Sequence, residues 1–379
     1  MQKNNQAQRP IRIGLVGSGY MGKAHSVAYK SVRTVFPDVP APVCECISTS
    51  SDSSAARAAA ALGWNRSTGD WRALVADPDI DAIVIASPME THKDIALAAL
   101  AHGKAVLCEK PLGHSAAESL QMVQAAEASG LVHMVGFNYI RTPASQLARQ
   151  IIASGEIGDV IHVAAEHVED FLHDASKPMS RQNRIATATA AGALAEVGPH
   201  MLNAVLALAG PIDSLVADMN IVYPQRPGPN GPERVETPDQ GNLMVRFANG
   251  ALGALTFSWV AAGRKMGYTY RITGTRGALY FDQENQNELW LYDAARPAGR
   301  QGFQRLLTGP AHPDYLAFNQ GPGHGTGYND QIVIEARDFL QAIASGRAAY
   351  PTFRDGYEVD RVVEAAVQSA RERCWVSLR

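Results

Sequence analysis

The sequence predicts an α/β chain, a doubly wound parallel sheet followed by an α+β part built on an open, largely antiparallel sheet. Three observations predict it. From residue 11 to about residue 139, short β-branched runs alternate with longer alanine-rich amphipathic stretches, the pattern of repeated βαβ units. From residue 212 to residue 292, strand-like runs follow one another across Asn-Gly, Gly-Arg and Thr-Arg-Gly turns of hairpin type. At 379 residues the chain exceeds one ordinary core, and the expected division is 1–140 and 141–379.

In the first part, strands are expected at 11–16, 43–48, 82–86, 105–108 and 132–136, with helices near 24–30, 53–62, 70–76, 93–101 and 116–129. Several of these helices begin at a Ser, Thr or Asp able to cap them. The first strand runs directly into Gly17-Ser18-Gly19-Tyr20-Met21-Gly22. Glycine at these three positions permits a tight turn, leaves no Cβ in the path of a pyrophosphate and lets the following helix pack on the strand. A dinucleotide is therefore expected here, on a Rossmann-type domain. The second strand ends in Ser48-Thr49-Ser50-Ser51-Asp52, with no acid at Thr49 to grip ribose hydroxyls or repel a 2′-phosphate. NAD and NADP both remain open, with Ser48, Thr49 and Ser50 as expected contacts.

The later strands end in Ser87-Pro88-Met89-Glu90-Thr91-His92 and in Cys108-Glu109-Lys110-Pro111. In a doubly wound sheet ligands lie beyond the carboxyl ends of the strands, so Ser87, Pro88, His92, Glu109, Lys110 and Asn138 join the expected cofactor contacts. Lys110, held directly before proline, points to a reacting group.

In the second part, a helix at 144–154 leads to a strand at 160–167, then to an irregular stretch from 169 to 190 that suits a substrate loop. A helix at 195–208 and strands at 243–247, 252–259, 269–272, 278–281 and 288–292 follow, with a proline-rich surface excursion at 224–238. Helices at 332–344 and 357–373 close the chain.

Composition excludes several classes. Lys and Arg number 34 against 37 Asp and Glu, and no basic cluster offers a surface for nucleic acid. The first ten residues are polar and the longest apolar runs are strand-length, so a cytoplasmic protein without export signal or membrane span is expected. Cys44, Cys46, Cys108 and Cys374 read as reduced and structural, and no metal is expected. His25, His102, His114 and His133 read as structural.

The glycine turn, the Glu109-Lys110-Pro111 strand end, the Ser87-Pro88-x-x-x-His92 turn and the open-sheet second part together resemble the Gfo/Idh/MocA family of NAD(P)-dependent sugar and polyol dehydrogenases. Phe137-Asn138-Tyr139-x-Arg141-Thr142-Pro143, Leu307-Thr308-Gly309-Pro310-Ala311-His312-Pro313 and Trp375-Val376 are similar to its branch of levoglucosan, inositol and L-glucose dehydrogenases. The resemblance implies oxidation of a secondary hydroxyl of a cyclic polyol or sugar, with His200 accepting the proton, Lys110 stabilising the oxygen and Glu196 holding His200. Glu196 stands where the family usually has aspartate, and Pro199 suits the first turn of a helix, so the helix is expected to begin near His200. Expected substrate contacts are Lys110, Asn138, Tyr139, Glu169, Asp170, Arg184, His200, His312 and His324. The open sheet and the family both imply a homo-oligomer, dimer or tetramer. Two other readings keep the scaffold: a glycosidase using retained NAD for transient oxidation, and a catalytically silent sensor of nucleotide or sugar.

Overall fold

The computed structural model describes residues 9–180, 183 and 190–379. The chain forms two compact units, Met1–Arg141 with Gly327–Tyr357, and Thr142–Thr326 with Glu358–Arg379.

The first unit is built on six parallel strands: β1 (Ile11–Val16), β2 (Pro42–Ser48), β3 (Arg66–Thr68), β4 (Ala82–Ile85), β5 (Ala105–Glu109) and β6 (His133–Gly136). Their spatial order is β3-β2-β1-β4-β5-β6. The order reverses between β1 and β4, which opens a crevice at their carboxyl ends. Ile13, Leu15, Ile83 and Val84 are fully buried, as expected of strands covered on both faces. Ser51, Asp70 and Ser115 cap the helices that follow them, each accepting a backbone N–H, from Ser54, Arg72 and Glu118. The edge strand β3 was not expected from sequence, since three residues are too few to show a period.

The helix Tyr328–Ser345 also lies in this unit, packed on the helix Tyr20–Val35. The expected division at residue 140 assigns it to the second part. Its apolar stripe of Ile332, Val333, Ala336, Phe339 and Leu340 is buried. Such a stripe fixes that a helix is covered but not by which sheet.

The second unit carries β7 (Val160–Val168), β8 (Ile212–Asn220), β9 (Gln225–Gly228), β10 (Gly231–Arg234), β11 (Gln240–Phe247), β12 (Leu252–Ser258), β13 (Gly267–Gly274), β14 (Gly277–Asp282), β15 (Glu288–Asp293), β16 (Gln304–Leu307) and β17 (Val376–Ser377). Nine of these form one sheet, in the order β16-β15-β14-β13-β7-β12-β11-β8-β17. All its pairs are antiparallel except β7 with β12. The remaining two, β9 and β10, form a separate ribbon within the proline-rich excursion.

Alternation along the strands sorts this sheet into two faces. On one, Leu243, Val245, Phe247, Leu255, Phe257 and Ile272 are buried, and the helices Pro143–Ala153 and Gly198–Ala209 pack on the sheet. The other face exposes Met244, Arg246, Leu252 and Ala254. Among the described residues no helix is long and apolar enough to cross a membrane. The four cysteines are free thiols.

Candidate active site

The glycine turn after β1 requires glycine on geometry. Gly17 has φ +104°, and a Cβ there would stand 2.3 Å from the Ala86 carbonyl oxygen. A Cβ on Gly22 would stand 2.3 Å from the Gly17 oxygen, where backbone cannot give way. Gly19 is different: nothing lies within 4 Å of where its Cβ would be. It is also the N-cap of the helix Tyr20–Val35, whose first amides receive no side-chain cap. An uncapped helix N-terminus behind an open glycine is a fit for a pyrophosphate. We expect Gly22→Val to abolish nucleotide binding while Gly19→Ala only weakens it; isothermal titration with NAD measures both.

Around this turn the first unit gathers several groups. Tyr328, from the helix Tyr328–Ser345, donates to Met21 Sδ at 3.2 Å and lies 5.6 Å, ring to ring, from Tyr20. It also meets Tyr139 edge-on at 6.2 Å. Asn138 is buried and donates to Gln331 at 2.9 Å. Ser87 and Thr91 share a hydroxyl contact of 2.6 Å. The buried His92 ring sets Nδ1 2.9 Å from the Pro111 carbonyl and Nε2 2.9 Å from that of Ser87, which ties the turn after β4 to the turn after β5. Burial lowers the His92 pKa against the pull of these two carbonyls, and a neutral ring donates to only one of them. Glu109 is buried against His25 at 2.8 Å, and Lys110 follows it, half-buried, at the end of β5.

In the second unit, Pro199 takes the first turn of the helix Gly198–Ala209, and His200 follows it, 5 % exposed. Glu196 ends the separate short helix Ala193–Glu196, and its carboxylate accepts from Asn183 Nδ2 at 2.5 Å. The His200 ring lies 6.0 Å from that of His167, whose Nε2 is 3.1 Å from Glu169. The Tyr268 ring meets that of His167 edge-on, at 5.6 Å. An imidazole at a helix start, backed by a second imidazole and a carboxylate, can hold and pass a proton.

Comparison with known proteins shows the family. Residues 11–137 match the oxidoreductase family with the NAD-binding Rossmann fold, and residues 145–280 match the GFO/IDH/MocA C-terminal domain. The chain belongs to the Gfo/Idh/MocA family of oxidoreductases. It is 38 % identical over 385 residues to levoglucosan dehydrogenase of Pseudarthrobacter phenanthrenivorans, covering 97 % of this chain and 98 % of that one. A levoglucosan dehydrogenase structure in complex with NADH and levoglucosan superposes with a TM-score of 0.95 at 37 % identity, covering 98 % of this chain and 100 % of the other. An inositol dehydrogenase homologue from Azotobacter vinelandii, complexed with NADH and myo-inositol, gives 0.80 at 26 % identity, covering 98 % of each.

Within this family frame, the residues expected from sequence divide by their surroundings. Ser48 is buried with its hydroxyl unpartnered, whereas Thr49 contacts Ser54 and Ser51 caps a helix. The 49–51 hydroxyls therefore largely serve the cap, and Ser50 is left exposed. Asp170 is bound by Lys265 at 2.6 Å, which holds its carboxyl below the usual range. His312 Nδ1 accepts from Gly309 N at 2.9 Å and so closes its own turn. His324 is exposed, on a loop stapled by the buried Tyr315, whose hydroxyl donates to the Gly321 carbonyl at 2.9 Å. Arg184 lies outside the described residues. The sequence reading missed His167, Tyr328 and Gln331. A signal existed for His167: it shares strand parity with the buried Val163 and Ala165, so it stands as a polar residue on the covered face.

Proposed function

We propose that the chain is an NAD-dependent dehydrogenase that oxidises a secondary hydroxyl of a cyclic sugar or polyol, anhydrosugars and inositols being the first classes to try. The observation that carries this reading is the near-full-length match to a levoglucosan dehydrogenase, on a chain whose glycine turn leaves room for a pyrophosphate and whose β5 is followed directly by Lys110. NAD, when bound, supplies the hydride acceptor. Gly17, Gly19 and Gly22 would hold its phosphates, and Ser48, Ser87 and Asn138 would stand nearest its remaining groups.

The protein's own residues then handle the proton and the oxygen. His200 accepts the hydroxyl proton as the carbon gives up its hydride, and the carbinol becomes a carbonyl. Lys110 stabilises the negative charge that develops on the oxygen and relays its proton. Glu196, held by Asn183, and His167, held by Glu169, fix the imidazole's surroundings. Asn138, Tyr139 and Glu169 are the groups we assign to sugar hydroxyls. NAD is preferred to NADP because Thr49 and Ser51 beyond β2 are engaged and Arg66 is paired with Glu45 and Asp77, both at 2.7 Å. The test is absorbance of the reduced nicotinamide with NAD and with NADP across anhydrosugars, inositols and hexoses. Turnover of a cyclic polyol with NAD supports the reading, and none with any of them refutes it.

The exposed sheet face supports self-association. Met244 and Leu252 are 60 % and 49 % exposed, Ala254 lies between Met244 and Ala164 in the ladder, and Arg246 covers Trp375 at 5.5 Å. A sheet face that exposes such apolar residues is ordinarily covered by a partner. We expect a dimer or tetramer by light scattering, and a smaller species for the double variant Met244→Glu, Leu252→Glu; an unchanged mass would count against this face.

A further inference from the structure

Beside the glycine turn, three ionisable side chains from three separate elements meet in the interior of the first unit. His25 comes from the helix Tyr20–Val35, Glu109 from the end of β5 and Glu335 from the helix Tyr328–Ser345. All three are buried, and one donor atom of each lies within 4.8 Å of the others. His25 and Glu109 are joined at 2.8 Å, whereas neither oxygen of Glu335 has a hydrogen-bond partner. Neither His25 nor Glu335 is needed by the chemistry above.

We infer that Glu335 is a positioning residue for the reactive end of β5: standing in the cluster as a neutral carboxylic acid, it leaves His25 and Glu109 as an undisturbed ion pair and so keeps the backbone that carries Lys110 in place. The inference rests on the dehydrogenase reading for its link to turnover, but not for the state of Glu335. Charge counting in a dry interior leads to it. One imidazolium balances one carboxylate, and a second buried carboxylate a few ångströms away cannot ionise without a large penalty. Arg141, the other cation that acts on Glu335, is paired with Asp338.

The surrounding groups agree. From the helix Tyr20–Val35, Tyr29 as well as His25 acts on Glu335; from the turn after β6, Arg141 does; from β5, Glu109 does. Tyr328 and His92 face Glu109. Burial, then the Glu109 charge, push the Glu335 pKa from 4.5 up to about 7, against Arg141 and His25. For His25, burial opposes the charge, but the Glu109 hydrogen bond and charge leave its pKa raised.

A carboxyl whose pKa is raised on folding stabilises the fold least where it must ionise. Below pH 4.5 Glu335 adds no penalty; the penalty grows as pH rises toward about 7 and is constant above it. The experiment is thermal unfolding of the cofactor-free protein from pH 4.5 to 9, wild type against Glu335→Gln. Wild type is expected to lose melting temperature relative to the variant up to about pH 7 and then run parallel to it, with a matching step in the wild-type kcat profile that the variant lacks. His25→Gln, which removes the imidazolium, should move the step to higher pH. An infrared band from a buried protonated carboxyl, lost as pH rises, reads the same group without a variant. Parallel melting curves throughout, or no such band, would overturn the inference. A melting temperature that falls on chelation would overturn it in favour of a cation in the cluster. If the melting and infrared results hold while no polyol is turned over, the dehydrogenase reading fails and the protonation state stands.

Discussion

Lys110→Ala is expected to lower kcat by about two to four orders of magnitude, with NAD affinity changed only a few fold. The side chain stands half-buried at the carboxyl end of a central strand, where a cation can meet an oxygen that gains negative charge in the transition state. The substitution removes that cation without touching the glycine turn, and it leaves the His25–Glu109 pair intact. Lys110→Arg separates charge from proton transfer. A guanidinium keeps the charge but does not deprotonate, so it should restore little of the rate if Lys110 relays a proton. Steady-state kinetics with nucleotide titration on the same samples checks both. Near-normal kcat in the alanine variant would remove Lys110 from the mechanism.

The second large effect falls on His200. His200→Ala should lower kcat by about two to four orders of magnitude, because the hydroxyl then loses its acceptor. His200 is buried at the start of the helix Gly198–Ala209, so alanine could also act by loosening that helix. Added imidazole distinguishes the two. A lost proton acceptor is restored in part by an exogenous base, whereas a loosened helix is not. Saturable recovery of turnover with imidazole is the expected result, with melting temperature within a few degrees of wild type. Glu196 accepts from Asn183.

Much of this was legible in the sequence where the physics is local. A glycine turn needs three glycines at fixed spacing, βαβ units show two periods in alternation, and hairpin turns show their own residues. Those signals located both sheets, the glycine turn, the Lys110 strand end and the helix that begins just before Pro199. The rest depended on which surfaces meet. The helix Tyr328–Ser345 reads as amphipathic, yet only the fold brings Tyr328 to Met21, Gln331 to Asn138 and Glu335 to Glu109. The hydroxyls after β2 look available in sequence because an N-cap and a free hydroxyl are the same residue types; Ser51 with Ser54 three positions on was the signal that they are a cap. His25 read as structural, and its partner Glu109 is next to Lys110; a helix and a separate strand end meet there, a closeness that no spacing in the sequence shows.

Hydride transfer from a sugar carbon to NAD is the central claim, and isotope transfer tests it most directly. The best-turned-over polyol, deuterated at every ring carbon, is incubated with NAD, and the reduced nucleotide is examined by mass spectrometry. One deuterium gained by each reduced nicotinamide, and a carbonyl product formed in equal amount, are the expected result. Reduced nucleotide without deuterium, or product formed while the nucleotide stays oxidised, would contradict it.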